Sequence, residues 1–250
     1  YMDLRERASV DGHRHPWETV RAAFFNRKII GLTNHRSVQI LDLGSGDCWF
    51  AENLLPKLPR GSQITCCDPN FTDEDIATFP MPGIRRIRDI PQQTFDIVIL
   101  LDVLEHIEDD LKFLENDVVP RLRPESKIVI SVPAHPSLFT SHDTFLGHYR
   151  RYTRHHLLEV SGRFFSNDQN GYLFISLGLV RMLQRVTDSK KAKLETGVGK
   201  WGAGLIATSL VICALTIDSF ISQVLQMIRI RIPGLTVWTI CSSRQSIVSQ

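Results

Sequence analysis

A glycine-containing turn carries the first chemical signal in the sequence. Gly44, Ser45 and Gly46 directly follow the apolar run at residues 38–43 and precede a helical pattern. Because glycine lets a ligand approach bare backbone, such a turn between a strand and a helix indicates a ligand site. A dinucleotide fingerprint would need a third glycine where Trp49 stands, and no Gly-Lys-Ser/Thr of a phosphate-binding loop follows. The turn therefore disfavours a dinucleotide or a nucleoside triphosphate.

Three acidic residues strengthen this signal because each follows a separate candidate strand. Asp68 ends the second strand about 20 residues after the turn, where a carboxylate can accept hydrogen bonds from both hydroxyls of a ribose. Asp89 follows the third strand and Asp102 the fourth. The carboxyl ends of parallel strands lie at one edge of a sheet. We therefore expect one coordinated site at that edge rather than three solvated surface acids.

The elements that must position these residues alternate between strands and helices. Runs continuous in Val, Ile and Leu predict strands covered on both faces, at residues 38–43, 63–67, 84–87, 95–101 and 127–132. Helical spacing predicts helices at residues 15–30, 49–58 and 103–122. Later patterns predict a strand within 164–176, a helix at 177–186, a polar connection at 189–199, one or two helices at 201–228 and a strand at 235–241. Together they predict an α/β fold, a doubly wound, seven-stranded, mainly parallel sheet with a helical insertion before the last strand.

Composition narrows the function classes. The formal net charge of +2, from 29 Lys and Arg against 27 Asp and Glu, gives no general basic surface for a nucleic-acid partner. The five cysteines include no C-x-x-C pair, so they suggest neither a disulfide framework nor a zinc site. The first residues contain no apolar core of a secretory signal. We therefore expect a cytoplasmic protein.

Four segments resemble the successive motifs of class I S-adenosylmethionine-dependent methyltransferases, namely ILDLGSGD, CCDPN, RDIPQQTFDIVILLDVLEHI and LRPESKIVISVPA. The flanking motifs W-x-x-x-R, S-H-D-x-x-L-G-H-Y-R-R-Y-T and IPGLTVWTIC are similar to a bacterial subgroup whose acceptors are mostly unassigned. The likeness covers nearly the whole chain. It implies a Rossmann-like methyltransferase fold and an enzyme that uses S-adenosylmethionine. We expect a single domain over residues 1–250, with a helical cap (1–37), a cofactor-binding core (38–133) and an acceptor side (134–250).

The resemblance also implies which residues hold the cofactor. Its methionine part is surrounded by Asp42, Gly44, Ser45 and Gly46. Its ribose is held by Asp68, and its adenine lies near Pro69, Asp89 and Ile90. Its sulfonium and amino group are flanked by Leu101, Asp102 and His106. The pocket is closed from the entry helix by Trp17 and Arg21, and Arg21 is able to meet the cofactor carboxylate.

One position departs from the family pattern. The family usually has a third glycine where this chain has Cys48. A Cβ at this position could crowd the turn, since glycine alone adopts left-handed backbone without strain. We favour the simpler interpretation that Cys48 packs under the turn as a small apolar residue.

Candidates for acceptor chemistry follow the fifth strand. Methyl transfer needs an acceptor lone pair held in line with the methyl group, and a base helps only where the acceptor carries a proton of high pKa. His142, Asp143 and His148 are the candidate catalytic residues, although the adjacent His142 and Asp143 side chains would diverge on regular structure. A solvated basic loop explains the same segment equally well. Metal binding by His135, His142 and His148 is disfavoured by their irregular spacing, so we expect no metal site.

An apolar segment at residues 201–228 allows two functions. One helical face is apolar and is formed by Ile206, Leu210, Cys213, Ile217, Ile221, Val224 and Ile228. Such a face must be covered by the domain core, a second subunit, a hydrophobic acceptor or a lipid surface. We expect it to pack over the carboxyl edge of the sheet and to wall the acceptor site. Asp218 interrupts the apolar run, so we expect no transmembrane span, while peripheral membrane contact stays open. The predicted function is methyl transfer to oxygen or nitrogen of a small-molecule or lipid-like acceptor, and the alternative is a non-catalytic, membrane-docking scaffold.

Overall fold

The continuous apolar runs form the strands of one sheet. The computed structural model describes residues 14–77, 81–187, 201–228, 230 and 232–244. Its strands are β1 (Gln39–Leu43), β2 (Gln63–Cys67), β3 (Ile84–Ile87), β4 (Phe95–Leu101), β5 (Leu122–Pro133), β6 (Phe165–Leu173) and β7 (Thr236–Ser243). They lie in the order β3-β2-β1-β4-β5-β7-β6, and β7 is antiparallel to both of its neighbours. The predicted seven-stranded, mainly parallel sheet is confirmed.

Helices cover both faces of this sheet, as the apolar strands require. They are α1 (Pro16–Leu32), α2 (Trp49–Leu54), α3 (Asp73–Ala77), α4 (Asp110–Phe113), α5 (Ser141–Phe145), α6 (Arg154–Gly162), α7 (Ile175–Thr187) and α8 (Leu205–Met227). One hydrophobic layer joins the sheet to α1, α2 and Leu215 of α8. A second layer on the opposite face includes Leu157 and Val160 of α6. The predicted helical insertion, α7 and α8, lies between β6 and β7, and its predicted connection at 189–199 falls outside the described residues.

The single helix predicted at residues 103–122 is wrong. The chain instead forms a 3-10 turn at Leu104–His106, then α4, a π-helical turn at Leu114–Val118 and a second 3-10 turn at Val119–Arg121. The Asp109 side chain accepts a hydrogen bond from the Lys112 amide at 3.0 Å and so caps the start of α4. Pro120 has no amide to continue a helix. The segment is therefore divided into short turns, and the first of them, Leu104–His106, lies just after the carboxyl end of β4.

The predicted orientation of the last helix is also wrong. Among the residues assigned to the covered face, Ile206 is 81% exposed and Ile217 is 54% exposed. The buried side of α8 carries Leu215, Ser219 and Ser222 and packs against α1. Small serine side chains allow α8 to pack closely on its neighbours. Because apolar residues lie all round this helix, the sequence periodicity does not identify which side is buried. The predicted apolar face is therefore an exposed surface.

Candidate active site

The glycine turn and Asp68 form the centre of the site at the ends of β1 and β2. Gly44 and Gly46 have φ angles of 68° and 56°, which glycine adopts without strain. The Gly44 amide donates to the carbonyl of Cys67 at 2.8 Å. The Gly46 amide donates to Asp68 Oδ2 at 3.0 Å. The turn is thus fastened to the end of β2 by its own backbone.

Buried carboxylates concentrate at this edge of the sheet. Asp42 is buried, and its Oδ2 has no hydrogen-bond partner within the described part of the chain. Burial, followed by the charge of Asp68, raises the pKa of Asp42 to about 7. Burial and the charges of Asp68, Asp89 and Asp42 raise the pKa of Cys67 to about 12. Two of the three acids predicted to share one edge, Asp68 and Asp89, therefore act together with Asp42 on a single thiol at the end of β2.

Cys48 occupies the position of the missing glycine in left-handed backbone. Its φ is 68°, where a Cβ causes strain. The side chain is fully buried, and its Sγ accepts a hydrogen bond from Arg86 Nε at 3.3 Å. Arg86 also donates to the carbonyl of Asp47 at 3.3 Å. Cys48 therefore packs under the turn as expected, but it does so in a strained conformation.

The entry helix α1 reaches the end of β4 through Arg21. Arg21 forms an ion pair with Asp102, and its guanidinium lies 5.1 Å from the centre of the Trp17 ring. Asp102 also accepts a hydrogen bond from Ser131 at 3.1 Å and has a left-handed φ of 57°. Just before the helix, Arg14 forms an ion pair with Asp47, which follows the glycine turn. The structure thus joins α1 to the ends of both β1 and β4.

The remaining predicted cofactor residues differ in exposure. Leu101 is buried at the end of β4, whereas Pro69 and Asp89 are exposed. Asp89 and the half-buried Ile90 line an open cleft of about 690 Å³ beside β3. His106 follows β4 and is half-buried. Asp89 and Ile90 therefore lie beside β3, Leu101 and His106 lie at or just after the end of β4, and their assignment to adenine and sulfonium stays a prediction.

On the acceptor side, Asp143 organises a set of cationic and polar groups. It binds His148 Nδ1 at 2.9 Å and accepts from Arg151 Nε at 2.7 Å and from the Thr140 amide at 2.8 Å. Burial alone would raise the pKa of Asp143, but the bonds from His148 and Arg151 hold this pKa well below its ordinary value. His142 lies on the same short helix and stacks on Phe145 at 6.4 Å. The structure therefore brings together two of the three candidate catalytic residues, Asp143 and His148.

Glu105 is a site residue that the sequence analysis missed. It is 1% exposed, and its Oε2 has no hydrogen-bond partner among the residues described. Burial raises the pKa of Glu105 to about 7. The backbone carbonyl of Glu105 accepts a hydrogen bond from the Tyr149 amide at 2.7 Å. Next to Glu105, the ring centres of His106 and His148 lie 4.6 Å apart. The motif Leu104, Glu105, His106 was available in the sequence, but the predicted long helix gave it no special position.

The basic segment after the fifth strand is mostly paired. Arg150 forms an ion pair with Asp110 at 3.1 Å, and Arg154 donates to Asn170 at 2.7 Å. Tyr152 is fully buried beneath them and donates to Asp110 at 2.7 Å. The interpretation as a solvated basic loop therefore fails for Arg150 and Arg154, which pair with polar groups of the domain.

The strand order, the glycine turn and the acidic residues at the strand ends define a class I, Rossmann-like methyltransferase fold. A family model described as a methyltransferase domain matches residues 14–186. The chain belongs to this family and is an S-adenosylmethionine-dependent methyltransferase. Among curated proteins, none matches its sequence significantly.

Solved structures share this fold at low sequence identity. An S-adenosylmethionine-dependent methyltransferase from Mesorhizobium loti is 14% identical, with a TM-score of 0.54 and coverage of 94% of this chain and 100% of that one. One from Archaeoglobus fulgidus is 17% identical, with a TM-score of 0.53 and coverage of 90% and 94%. Coclaurine N-methyltransferase bound to N-methylheliamine and S-adenosylhomocysteine is 12% identical, with a TM-score of 0.51 and coverage of 87% and 72%.

The residues of the turn fit the cofactor. The unpartnered Asp42 Oδ2 is a buried acceptor, and buried polar atoms normally have a partner. Asp68 would hold the ribose, and Arg21 would meet the carboxylate. When bound, S-adenosylmethionine supplies an electrophilic methyl group on sulfur. The protein's part would be to orient the acceptor toward that methyl group and to exclude water.

Proposed function

We propose that this methyltransferase acts on oxygen or nitrogen of a small, lipid-like acceptor, which it meets by peripheral contact with a membrane surface. The observation that carries the proposal is the exposed apolar surface of α7 and α8. Its most exposed members are Leu179, Val180, Leu183, Leu205, Ile206, Leu210, Ile217, Phe220 and Met227, and Ile228 directly after α8 is also exposed. Large apolar side chains exposed in such number on two helices are typical of contact with a protein partner or a membrane.

The composition of α8 favours lipid as the occupant. By length and composition it is able to cross a membrane, and 17% of its most apolar window is buried. A core helix of a soluble domain would be mostly buried. Interfacial helices combine such an apolar side with basic residues that attract anionic lipid headgroups. The proposal therefore needs a positive charge near the patch.

The sequence supplies that charge on both flanks of α8. Basic residues outnumber acidic ones in the preceding segment, which contains Arg181, Arg185, Lys190, Lys191, Lys193 and Lys200 against Asp188 and Glu195. Arg229 and Arg231 follow the helix. The rest of the chain is net acidic, since the flanks are strongly basic while the whole chain carries a formal charge of only +2. Attraction of anionic lipid would therefore be local to this surface.

Contacts of α8 with the domain favour peripheral contact over a span. Asp218 accepts a hydrogen bond from the Ser176 amide at 2.9 Å, and Gln226 donates to the Tyr172 carbonyl at 2.8 Å. Leu215 is buried in the hydrophobic layer that joins α1 to the sheet. A spanning helix would move these polar pairs into hydrocarbon, where polar groups are costly.

The helix α1 connects this surface to the chemistry. It contributes Trp17 and Arg21 to the site on one side and packs on α8 on the other. Trp201, just before α8, lies with its ring 5.0 Å from that of His15 at the start of α1. An acceptor embedded in the membrane surface would thus approach next to the entry helix. A small acceptor also agrees with the bound N-methylheliamine of coclaurine N-methyltransferase.

Flotation with lipid vesicles tests the proposal. Wild-type protein is expected to float with vesicles of phosphatidylcholine and phosphatidylglycerol, and less with phosphatidylcholine alone. The double variant Ile206→Glu, Leu210→Glu should stay in solution, while Ile76→Glu, at an exposed apolar position on α3, should float like wild type. Incubation with a methyl-labelled donor should then label compounds in lipid extracts rather than in aqueous extracts. A wild-type protein that ignores anionic vesicles and labels aqueous compounds would overturn the proposal.

A further inference from the structure

Three side chains with metal-ligating atoms meet at the carboxyl end of β4. Glu105, His106 and His148 each offer one ligand atom, and these atoms all lie within 4.8 Å of one another. Two imidazoles and one carboxylate are a ligand set that proteins use for divalent transition metals with positions left open. Ligands at about 2.1 Å from a tetrahedral ion lie about 3.4 Å apart, so small side-chain rotations would close the set.

The carboxylate of this cluster is an independent sign of a missing partner. Glu105 is buried, and its Oε2 finds no hydrogen-bond donor among the described residues. An unsatisfied buried carboxylate destabilises the fold unless it is neutralised or paired with a cation. A metal ion at the cluster would supply that cation.

Asp143 gives the cluster a supporting shell. It engages His148 Nδ1 at 2.9 Å, which leaves Nε2 as the nitrogen available to a metal. Metal-ligating histidines usually bond a carboxylate through their second nitrogen, which fixes ring orientation and tautomer. Asp143 is itself held by Arg151 at 2.7 Å and by the Thr140 amide at 2.8 Å.

We propose that Glu105, His106 and His148 bind a divalent transition-metal ion such as Zn²⁺ or Mn²⁺, with Asp143 orienting His148. The site differs from the histidine set considered from sequence, because His135 binds the Gly234 carbonyl at 3.0 Å and His142 stacks on Phe145. It lies at the carboxyl edge of the sheet, close after Asp102. A cation here would favour an acceptor with a metal-binding oxygen, and this consequence alone rests on the proposed function.

Metal binding is tested on purified protein stripped with chelator and then equilibrated with Zn²⁺, Mn²⁺ or Mg²⁺. Elemental analysis after dialysis should find one equivalent of Zn²⁺ or Mn²⁺ in wild type, and isothermal titration should give a weaker affinity for Mg²⁺. Glu105→Gln and His148→Asn should each lose at least tenfold in affinity. His142→Asn removes a half-buried histidine outside the cluster and should bind metal like wild type.

A second readout separates metal binding from folding. Glu105→Gln keeps the shape and removes the buried charge, so the metal-free variant should be at least as stable as metal-free wild type. The melting temperature should rise with Zn²⁺ in wild type and not in Glu105→Gln. Wild type that binds S-adenosylhomocysteine but no stoichiometric metal would overturn this inference and leave the methyltransferase function intact. Metal binding without any methyl acceptor in lipid or aqueous extracts would instead overturn the proposed function.

Discussion

The Gly46 amide donates to Asp68 Oδ2 at 3.0 Å, so the glycine turn after β1 is held by the carboxylate that ends β2. The same carboxylate accepts at Oδ1 from the amide and the side chain of Asn70, both at 3.0 Å. Asp68 is therefore fixed in place before any ligand arrives. A preorganised carboxylate of this kind loses little entropy when it binds ribose hydroxyls.

Asp68→Ala should weaken binding of S-adenosylhomocysteine at least tenfold. Each hydrogen bond from a hydroxyl to a charged carboxylate contributes about 1.5 to 3 kcal/mol. Isothermal titration calorimetry measures the loss. Asn70→Ala is the matched control, because it removes one of the bonds that fix Asp68 and leaves the carboxylate in place, so its effect should be several-fold smaller. Equal affinity of wild type and Asp68→Ala would remove Asp68 from the site.

Cys48→Gly should preserve the fold and leave cofactor affinity equal or higher. Glycine removes the strain of a left-handed φ of 68°, which costs about 1 to 2 kcal/mol for other residues. The variant also loses the contact of Sγ with Arg86. Cys48→Ala separates the two effects, since it loses the thiol and keeps the Cβ, and it should be the less stable of the two variants. Clearly weaker binding by Cys48→Gly would mean that the turn is adapted to the thiol.

Ionisation of Asp42 should make stability depend on pH. Burial and the charge of Asp68 raise the pKa of Asp42 from 3.8 to about 7. Between these values the folded protein holds a proton that the unfolded chain releases, so the contribution of Asp42 to the free energy of unfolding falls as pH rises from about 4 to about 7. Above that range the loss is complete.

The measurement compares melting temperatures of wild type and Asp42→Asn from pH 5 to pH 8. Wild type should lose stability relative to the variant as pH rises toward 7, and the difference should then become constant. Groups common to both proteins cancel in this difference. Profiles that stay parallel over the whole range would show that Asp42 keeps an ordinary pKa.

Much of the fold could be predicted because its strands are continuous apolar runs ended by polar turn residues. The parallel core, the glycine turn and the acids at the strand ends follow from that local pattern. The helix predicted at residues 103–122 failed because the cap at Asp109 and the missing amide of Pro120 act at single positions inside an otherwise helical pattern. Local signals of this kind override periodicity.

The site was less predictable where it depends on contacts distant in sequence. The pairing of Asp143 with His148 requires the end of α5 and the left-handed φ of 78° at Gly147, neither of which follows from the spacing of the two residues. Glu105 comes close to His148 through the 3-10 turn at Leu104–His106, which follows β4. Side chains from different loops converge through tertiary packing, which sequence spacing does not encode.

The exposed surface of α8 leads to a prediction that separates folding from membrane contact. Leu215 is 5% exposed and lies in the hydrophobic layer with α1, whereas Ile217, on the same helix, is 54% exposed. Leu215→Ala should cost about 2 kcal/mol of unfolding free energy through the cavity that it leaves. Ile217→Glu should change stability by less than about 0.5 kcal/mol, because surface substitutions rarely do more.

Binding to anionic vesicles should show the opposite order. Ile217→Glu places a charge where lipid would contact the helix and should reduce flotation, while Leu215→Ala, kept below its melting temperature, should float like wild type. Chemical denaturation and flotation of the same two variants therefore form a matched pair. Strong destabilisation by Ile217→Glu would show that this face is covered within the domain or by a second subunit. Retention of wild type in membranes after carbonate washing would show that α8 spans the bilayer, because peripheral contact through headgroups and one helix face does not survive that treatment.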